Sequence, residues 1–465
     1  MNTKTATDHD ILQRAAHDHL LLHFTRNGNF GPDANELLVL ERGVGPYVFD
    51  TKGRRYLDGL SSLFCAQLGY SYGEEMAAAA AEQLTTLAFN TNWATAHPAA
   101  IKLAQALAER APGDLNKVFF TNGGSESVEA AWKITRQFHL ANGEPGRTKA
   151  ISRDIAYHGV TLGALSFTGV ANMKAPFGPP AIETHHVSNT NSFRAPDGDD
   201  EARFCARLLS EVEQAIVDAD PETVALIIAE PVQNAGGCLV PPAGYWPGLR
   251  EIADRYGVLL CADEVIAGFG RLGELFASTR FDVVPDLITS AKGITSAYAP
   301  MGAVVVSDRV AEPLYADKQT LLHGITFGGH PVSAAIALQS LEIIERDGVL
   351  ENVREMEPYL AQRLQSLRDL PIVGDIRGAG FFWAAELVAD EQNTRFDADQ
   401  RERLLRGFLP RRLLEAGLIA RADDRGDSVL QVAPPLICDE SMLDELVEKM
   451  AEVLADAGTF MALDA

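Results

Sequence analysis

Five short apolar runs in this chain each stop at a polar or glycine-rich motif. Residues 118–120 lead into Thr121-Asn122-Gly123-Gly124-Ser125, and a run ending at Ser152 precedes Ala156-Tyr157-His158-Gly159. Residues 225–229 stop at Glu230-Pro231-Val232-Gln233-Asn234-Ala235, and residues 258–262 stop at Asp263-Glu264-Val265. Residues 287–290 deliver Ala291-Lys292-Gly293. Short, continuous apolar runs suit strands buried on both faces of a parallel sheet. Ligands of open α/β sheets sit beyond the carboxyl ends of the strands. The pattern therefore predicts an α/β fold, with a mostly parallel sheet and a site along one edge of it. The 465 residues suffice for a large core and two lobes.

The stretch from Gly257 to Gly293 carries the most chemistry. A carboxylate at the end of a buried strand needs a reason to be there. Alternate residues of a strand share a face, so Asp263 and Val265 point one way and Glu264 the other. Lys292 stands between two small residues, open to covalent chemistry. An acid, an apolar contact and a lysine converging at strand ends suit a flat, positively charged ring that bonds to an amine. Upstream, Gly123, Gly124 and Ser125 open a predicted helix over 126–140. A glycine turn at a helix start aims free N–H groups and the helix dipole at an anion. Glu230 repeats the theme of an acid at a strand end.

These motifs, in this order, resemble the class III aminotransferases, which use pyridoxal 5′-phosphate on the fold type I scaffold. The resemblance runs from about Leu22 to the C-terminus. It implies that Lys292 holds the cofactor as a Schiff base and, once displaced by the donor amine, acts as the general base. It implies that Asp263 pairs with the ring nitrogen and that Val265 and Tyr157 cover the ring faces. Gly123, Gly124 and Ser125 would cradle the phosphate, and Glu230 of the E-P-x-Q motif would lie near cofactor and substrate. Thr326, in His323-Gly324-Ile325-Thr326-Phe327-Gly328-Gly329, would reach the phosphate in the partner subunit. Phe64, Trp93, Tyr157 and Ala235 would line the substrate side. Many relatives that accept simple amines carry tryptophan near the Phe64 position. Arg421, in Leu418-Ile419-Ala420-Arg421 ahead of Ala433-Pro434-Pro435, would clamp the carboxylate of the acceptor, with Glu230 or solvent as its alternative partner. His158 reads as a packing or hydrogen-bonding group.

The implied reaction moves an amino group from an ω-amino acid or primary amine to a keto acid such as pyruvate. It would follow a ping-pong scheme through pyridoxamine phosphate, in a homodimer with shared active sites. The same scaffold also supports amino-group migration, racemisation and decarboxylation, since fold alone does not set function. Gly268-Phe269-Gly270-Arg271-Leu272-Gly273 is a formal G-x-G-x-x-G. A dinucleotide fingerprint needs its glycines directly after a strand and opening a helix, and this segment meets neither condition.

The implied division is a large cofactor-binding domain over 76–325 and a small α+β domain from 1–75 and 326–465. Tyr47-Val48-Phe49 and Arg55-Tyr56-Leu57 read as a hairpin. Residues 1–30 read as an arm or short helices, and 170–222 as a surface region with a helix near 211–218. Residues 418–422 and 430–433 read as strands. The net charge of −24 argues against nucleic acid or an anionic membrane as partner. The five cysteines show no metal spacing, and no metal site is expected. Free thiols, no apolar leader and no long apolar run make the cytoplasm the expected location.

Overall fold

The computed structural model describes residues 6–31, 34–316 and 319–462. Its central sheet has seven strands: β1 (Lys117–Thr121), β2 (Lys149–Arg153), β3 (Thr184–Val187), β4 (Val224–Ala229), β5 (Leu259–Asp263), β6 (Leu287–Ser290) and β7 (Gly302–Val306). Their order in space is β1-β7-β6-β5-β4-β2-β3. Strands β6, β5, β4, β2 and β3 pair in parallel. Only β7 runs against the others, between β1 and β6. The five strands that carry motifs, β1, β2, β4, β5 and β6, therefore end at the same edge.

Both faces of this sheet are covered, which is why its strands read as unbroken apolar runs. Leu260 and Ala262 of β5 pack into one core with Trp246 and Phe276. Leu259 and Cys261 face the other core, with Val128, Ala131 and Ile134 of the helix Gly124–Ala141. Asp263 continues the second alternation, so β5 itself aims that carboxylate at the start of this helix.

Two four-stranded sheets make up the smaller part. The hairpin pairs Tyr47 with Leu57, and the strand Leu418–Ile419 joins its edge in parallel. The run 418–422, read as one strand, is two. Leu418–Ile419 belongs to the hairpin sheet, while Arg421–Asp423 pairs antiparallel with Val429–Val432 in another sheet. Ala420 is the crossing point, and Arg421 is the first residue beyond it. Residues 170–222 also hold more than a surface region. They contain the edge strand β3 and the helix Glu201–Asp218. The sequence Thr-His-His-Val of β3 lacks an apolar run because the strand is half-exposed. The expected N-terminal arm is a helix, Ala6–His19, with residues 1–5 outside the described ones.

The G-x-G-x-x-G segment is a run of turns that opens no helix, the short helix Ala277–Arg280 starting only after residues 274–276. Gly270 and Gly273 adopt φ of +93° and +84°. Arg271 is buried and donates to the carbonyls of Phe381 and Pro434 and to Ser61 Oγ. Its work is to tie the two parts of the chain together.

Candidate active site

Lys292 stands where β6 ends, at the head of a short 3-10 turn, Lys292–Thr295. Its φ of +46° is a left-handed conformation, at a cost of about 1–3 kcal/mol for a residue other than glycine. The surroundings hold it there. A Cβ on the next residue, Gly293, would lie 2.3 Å from Gln67 Nε2 and 2.9 Å from Phe269 Cβ, so only glycine fits. Ser127 Oγ, in the first turn of the helix, donates to the Ser290 carbonyl at 3.0 Å and ties the helix start to the lysine strand. Burial holds the Lys292 amine below the usual lysine range.

Asp263 is buried but well supplied with donors. Its Oδ2 lies 2.6 Å from His158 Nδ1, and its Oδ1 accepts from Thr289 Oγ1 at 3.0 Å and from the Val265 N–H at 3.2 Å. Glu264 faces away, as strand alternation requires, and accepts from the backbone of Ala277 and Ser278. Glu230 is buried, and burial raises its pKa. Its two oxygens accept from the N–H of Tyr157 at 3.2 Å and of Asn234 at 2.9 Å, which pins two site loops to one strand end.

Lys292, Asp263, Glu230, Tyr157, His158, Val265, Gly124 and Ser125 line one cavity of about 120 Å³. Gly123 is the extended residue that caps the helix Gly124–Ala141, with no side chain over the helix end. Among the described residues the amides of Gly124 and Ser125 have no acceptor, as expected in a first helical turn. The cavity opens into a larger one of about 550 Å³, which Lys292 and Tyr157 also line. Phe64, Leu60, Leu63 and Ile419 give that chamber apolar walls, and Arg421 and Arg425 enter it. Ser61, Ser62 and Phe64 have φ of +48°, +59° and +62°. This strained turn puts Phe64 edge-on to Phe382, with ring centres 5.5 Å apart.

An acid aimed into a small cavity, a buried lysine beside it and a helix N-terminus across from it form a site for an anionic, ring-bearing aldehyde. The family model of class-III aminotransferases matches residues 31–454. The chain belongs to the class III aminotransferases.

It is 49% identical over 440 residues to a probable aminotransferase of Mycobacterium tuberculosis, covering 94% of this chain and 93% of that protein. It is 37% identical over 438 residues to a putrescine–pyruvate aminotransferase of Pseudomonas aeruginosa, covering 94% of each. Its fold matches an (S)-enantioselective omega-transaminase from Thermomicrobium roseum with a TM-score of 0.93, at 39% identity over all of both chains. An omega transaminase from Pseudomonas jessenii in complex with pyridoxamine phosphate matches with a TM-score of 0.91 at 36% identity, covering 98% of this chain and all of that one. The fold is therefore fold type I, and this class III aminotransferase depends on pyridoxal 5′-phosphate.

The residues present fit that cofactor. Free amides at a helix start suit its phosphate. Asp263 could stand opposite the ring nitrogen, Val265 and Tyr157 line the slot, and Lys292 Nζ would be the amine for the aldehyde. The slot is tight: a Cβ on Gly124 would come within 3.0 Å of Val265 Cγ1.

Two residues expected on the substrate side, Ala235 and Trp93, stand apart from this chain's cavity, as does Thr326, which is expected to serve the partner's site. Ala235 is wholly buried, and Asn234 lines the chamber instead. The segment curls back there, with Gln233 and Leu239 exchanging backbone hydrogen bonds, and this turns Ala235 inward. Trp93 and Thr326 lie on another surface. Trp93 is 60% exposed and packs against Gly324, beside Phe119, Leu322 and Ile325. Thr326 is exposed on the same loop. Neither lines a cavity with Lys292 of its own chain.

Other site residues escaped the sequence reading. Thr289 had a signal, as a polar residue inside the apolar run of β6. Asn234 sat inside a quoted motif without a role. Arg425 stood in the polar run Asp423-Asp424-Arg425-Gly426-Asp427, which looks like any solvated loop.

Proposed function

We propose that this enzyme transfers the amino group of a primary amine or ω-amino acid to a keto acid, pyruvate foremost, in two half-reactions of a ping-pong scheme. The observation that carries this reading is Arg421. It is a mostly buried guanidinium at the wall of an apolar chamber that also holds Lys292, and among the described residues its side chain makes no hydrogen bond. A guanidinium pairs with a carboxylate through two parallel hydrogen bonds. The apolar walls suit the body of an amine. The 37% identity to a putrescine–pyruvate aminotransferase supports pyruvate as acceptor.

Bound in the small cavity, the cofactor supplies an aldehyde that takes up the amine and a ring that withdraws electrons from the donor carbon. The chain does the rest. The Asp263 carboxylate holds a proton on the ring nitrogen, and His158 and Thr289 hold that carboxylate in place. Lys292 Nζ, displaced by the donor, moves the proton off the donor carbon. Its burial favours the neutral amine that this step needs. Tyr157 and Val265 would face the ring, and Phe64 would shape the donor end of the chamber.

We further propose a cytoplasmic homodimer with shared sites, with a large domain over 76–325 and a small one from 1–75 and 326–465. The exposed apolar surface around Trp93, Leu322 and Phe327 is of the kind that marks an interface. It carries Thr326, whose expected phosphate lies in the partner's site. Five free cysteines suit the cytoplasm, and no described helix is long and apolar enough to cross a membrane.

The test of the carboxylate reading is Arg421→Ala. The KM for pyruvate should rise roughly a hundredfold, as expected when a charged hydrogen-bonded pair is lost. The single-turnover reaction with a neutral arylalkylamine should slow much less. Equal damage to both half-reactions would make Arg421 structural.

A further inference from the structure

Arg421 and Arg425 enter the same chamber but are held very differently. The side chain of Arg425 is 10% exposed. Its Nε lies 2.9 Å from each oxygen of Asp423, and a second guanidinium nitrogen donates to Oδ2. Its backbone N–H donates to Asp423 Oδ1 at 3.1 Å. Its guanidinium carbon stands 5.5 Å from the centre of the Tyr157 ring. The loop on either side is pinned. Arg406 grips the Asp424 carboxylate with contacts of 2.7 to 3.0 Å. Arg401 donates to the carbonyls of Asp424 and Gly426 at 2.6 and 2.9 Å.

Arg421 has none of this. It shares a strand face with Asp423, two residues on, and its Nε forms an ion pair with Asp423 Oδ2 at 3.7 Å, too long for a hydrogen bond. Burial, and then repulsion by Arg425, hold its pKa below the usual arginine range. Asp423 is 2% exposed and already accepts four hydrogen bonds from Arg425. The Asp423 carboxylate is thus hydrogen-bonded to Arg425 and only loosely paired with Arg421.

We propose that Arg425 is a positioning residue: by occupying Asp423 it prevents Arg421 from tightening its loose ion pair into a hydrogen-bonded one, and so keeps that guanidinium available to the keto acid's carboxylate. This rests on the reading of Arg421 as the carboxylate ligand. A buried carboxylate without a partner is costly. Were Arg425 removed, Asp423 would take the nearest cation, which is Arg421 on the same strand. Substrate would then have to compete with an intramolecular pair.

Four variants decide this, each read by its KM for pyruvate and by its single-turnover rate with 1-phenylethylamine. Arg425→Gln should raise the KM roughly tenfold or more, the scale of one charge-assisted hydrogen bond, and by a larger factor than it slows the amine reaction. The double variant Asp423→Asn/Arg425→Gln, which removes the competing carboxylate, should return the KM to within about threefold of wild type. Arg425→Lys keeps a cation on Asp423 and should also stay within about threefold, which gives a reading should the Gln variant not fold. An unchanged KM in Arg425→Gln overturns the proposal, as does a double variant as poor as the single one, or a tenfold loss in Arg425→Lys. Arg421→Ala separates the two failures. An unchanged KM there removes the carboxylate ligand itself, whereas a raised KM there with no effect at Arg425 removes only the positioning role.

Discussion

His158 Nδ1 lies 2.6 Å from Asp263 Oδ2, with both side chains buried. The carboxylate therefore reaches the ring site already oriented, with Thr289 and the Val265 N–H on its other oxygen. Asp263→Asn should slow the amine half-reaction by at least about tenfold, because each lost unit of ring-nitrogen pKa is worth about 1.4 kcal/mol. Cofactor affinity should fall less, since the phosphate contacts remain. A stopped-flow rate within about threefold of wild type would remove Asp263 from the role of ring partner.

Lys292→Ala should cut turnover by more than about 10³-fold, as expected when both an amine nucleophile and a proton carrier are lost. The helix start at Gly124 is untouched by that change. Equilibrium dialysis should therefore still find pyridoxal phosphate bound, now released readily by inorganic phosphate. Multiple turnovers by the purified variant would contradict the assignment.

Burial also gives Lys292 a signature in the cofactor-free protein. Its folded pKa is lowered, while the unfolded chain keeps the ordinary value, near 10.4. Between the two values the unfolded state binds more protons, so stability from this group rises with pH across that window. Below the folded value both states are protonated and the dependence ends. Urea titrations of cofactor-free wild type and Lys292→Met, taken upward in pH as far as the unfolded value near 10.4, should show the wild type gaining more stability with pH. Parallel slopes would mean that the amine is solvated.

Gly293→Ala tests why the lysine can hold its strained backbone. The added Cβ would collide with Gln67 and Phe269, and overpacking of this kind costs about 1–3 kcal/mol. The denaturation midpoint should fall, and the cofactor's visible absorbance should weaken as Lys292 is displaced. An unaltered midpoint would show that the Gln67 side chain yields without cost.

The fold and the inner cavity were legible because most strands of the central sheet carry a short apolar run with a polar or glycine-rich motif just beyond it. Asp263, Lys292 and Glu230 stand out for that reason, as charges that a buried run would not otherwise carry. The chamber was harder to read. The break at Ala420, which sends Arg421 and Leu418 into different sheets, has no mark in the run Leu418-Ile419-Ala420-Arg421-Ala422, which is apolar but for the arginine itself. Arg425 looks like a loop arginine because its burial is set by Arg401 and Arg406, 24 and 19 residues before it. The edge strand β3 was hidden by its two histidines. Trp93 is exposed and is not among the residues that line the Lys292 cavities.

The surface around Trp93 yields the last prediction. Thr326 is exposed and is not among the residues that line the cavities of its own Lys292, on a loop that also carries exposed Phe327. If its hydroxyl serves the phosphate in a partner's site, each complete site needs Lys292 from one chain and Thr326 from the other. Thr326→Asp should then be nearly inactive, because it would set a carboxylate against a phosphate, while the chain itself folds, the position being exposed. Lys292→Ala is inactive for its own reason. Re-paired from a mixture, the two variants form a hybrid in which one site holds Lys292 from the first variant and Thr326 from the second. That site is intact, and the other lacks both. Random pairing makes about half the dimers hybrid, so roughly a quarter of the wild-type activity should appear on mixing. A residue acting within its own chain could not be rescued in this way, and a mixture that stays inactive after proven subunit exchange would place Thr326 outside the shared site.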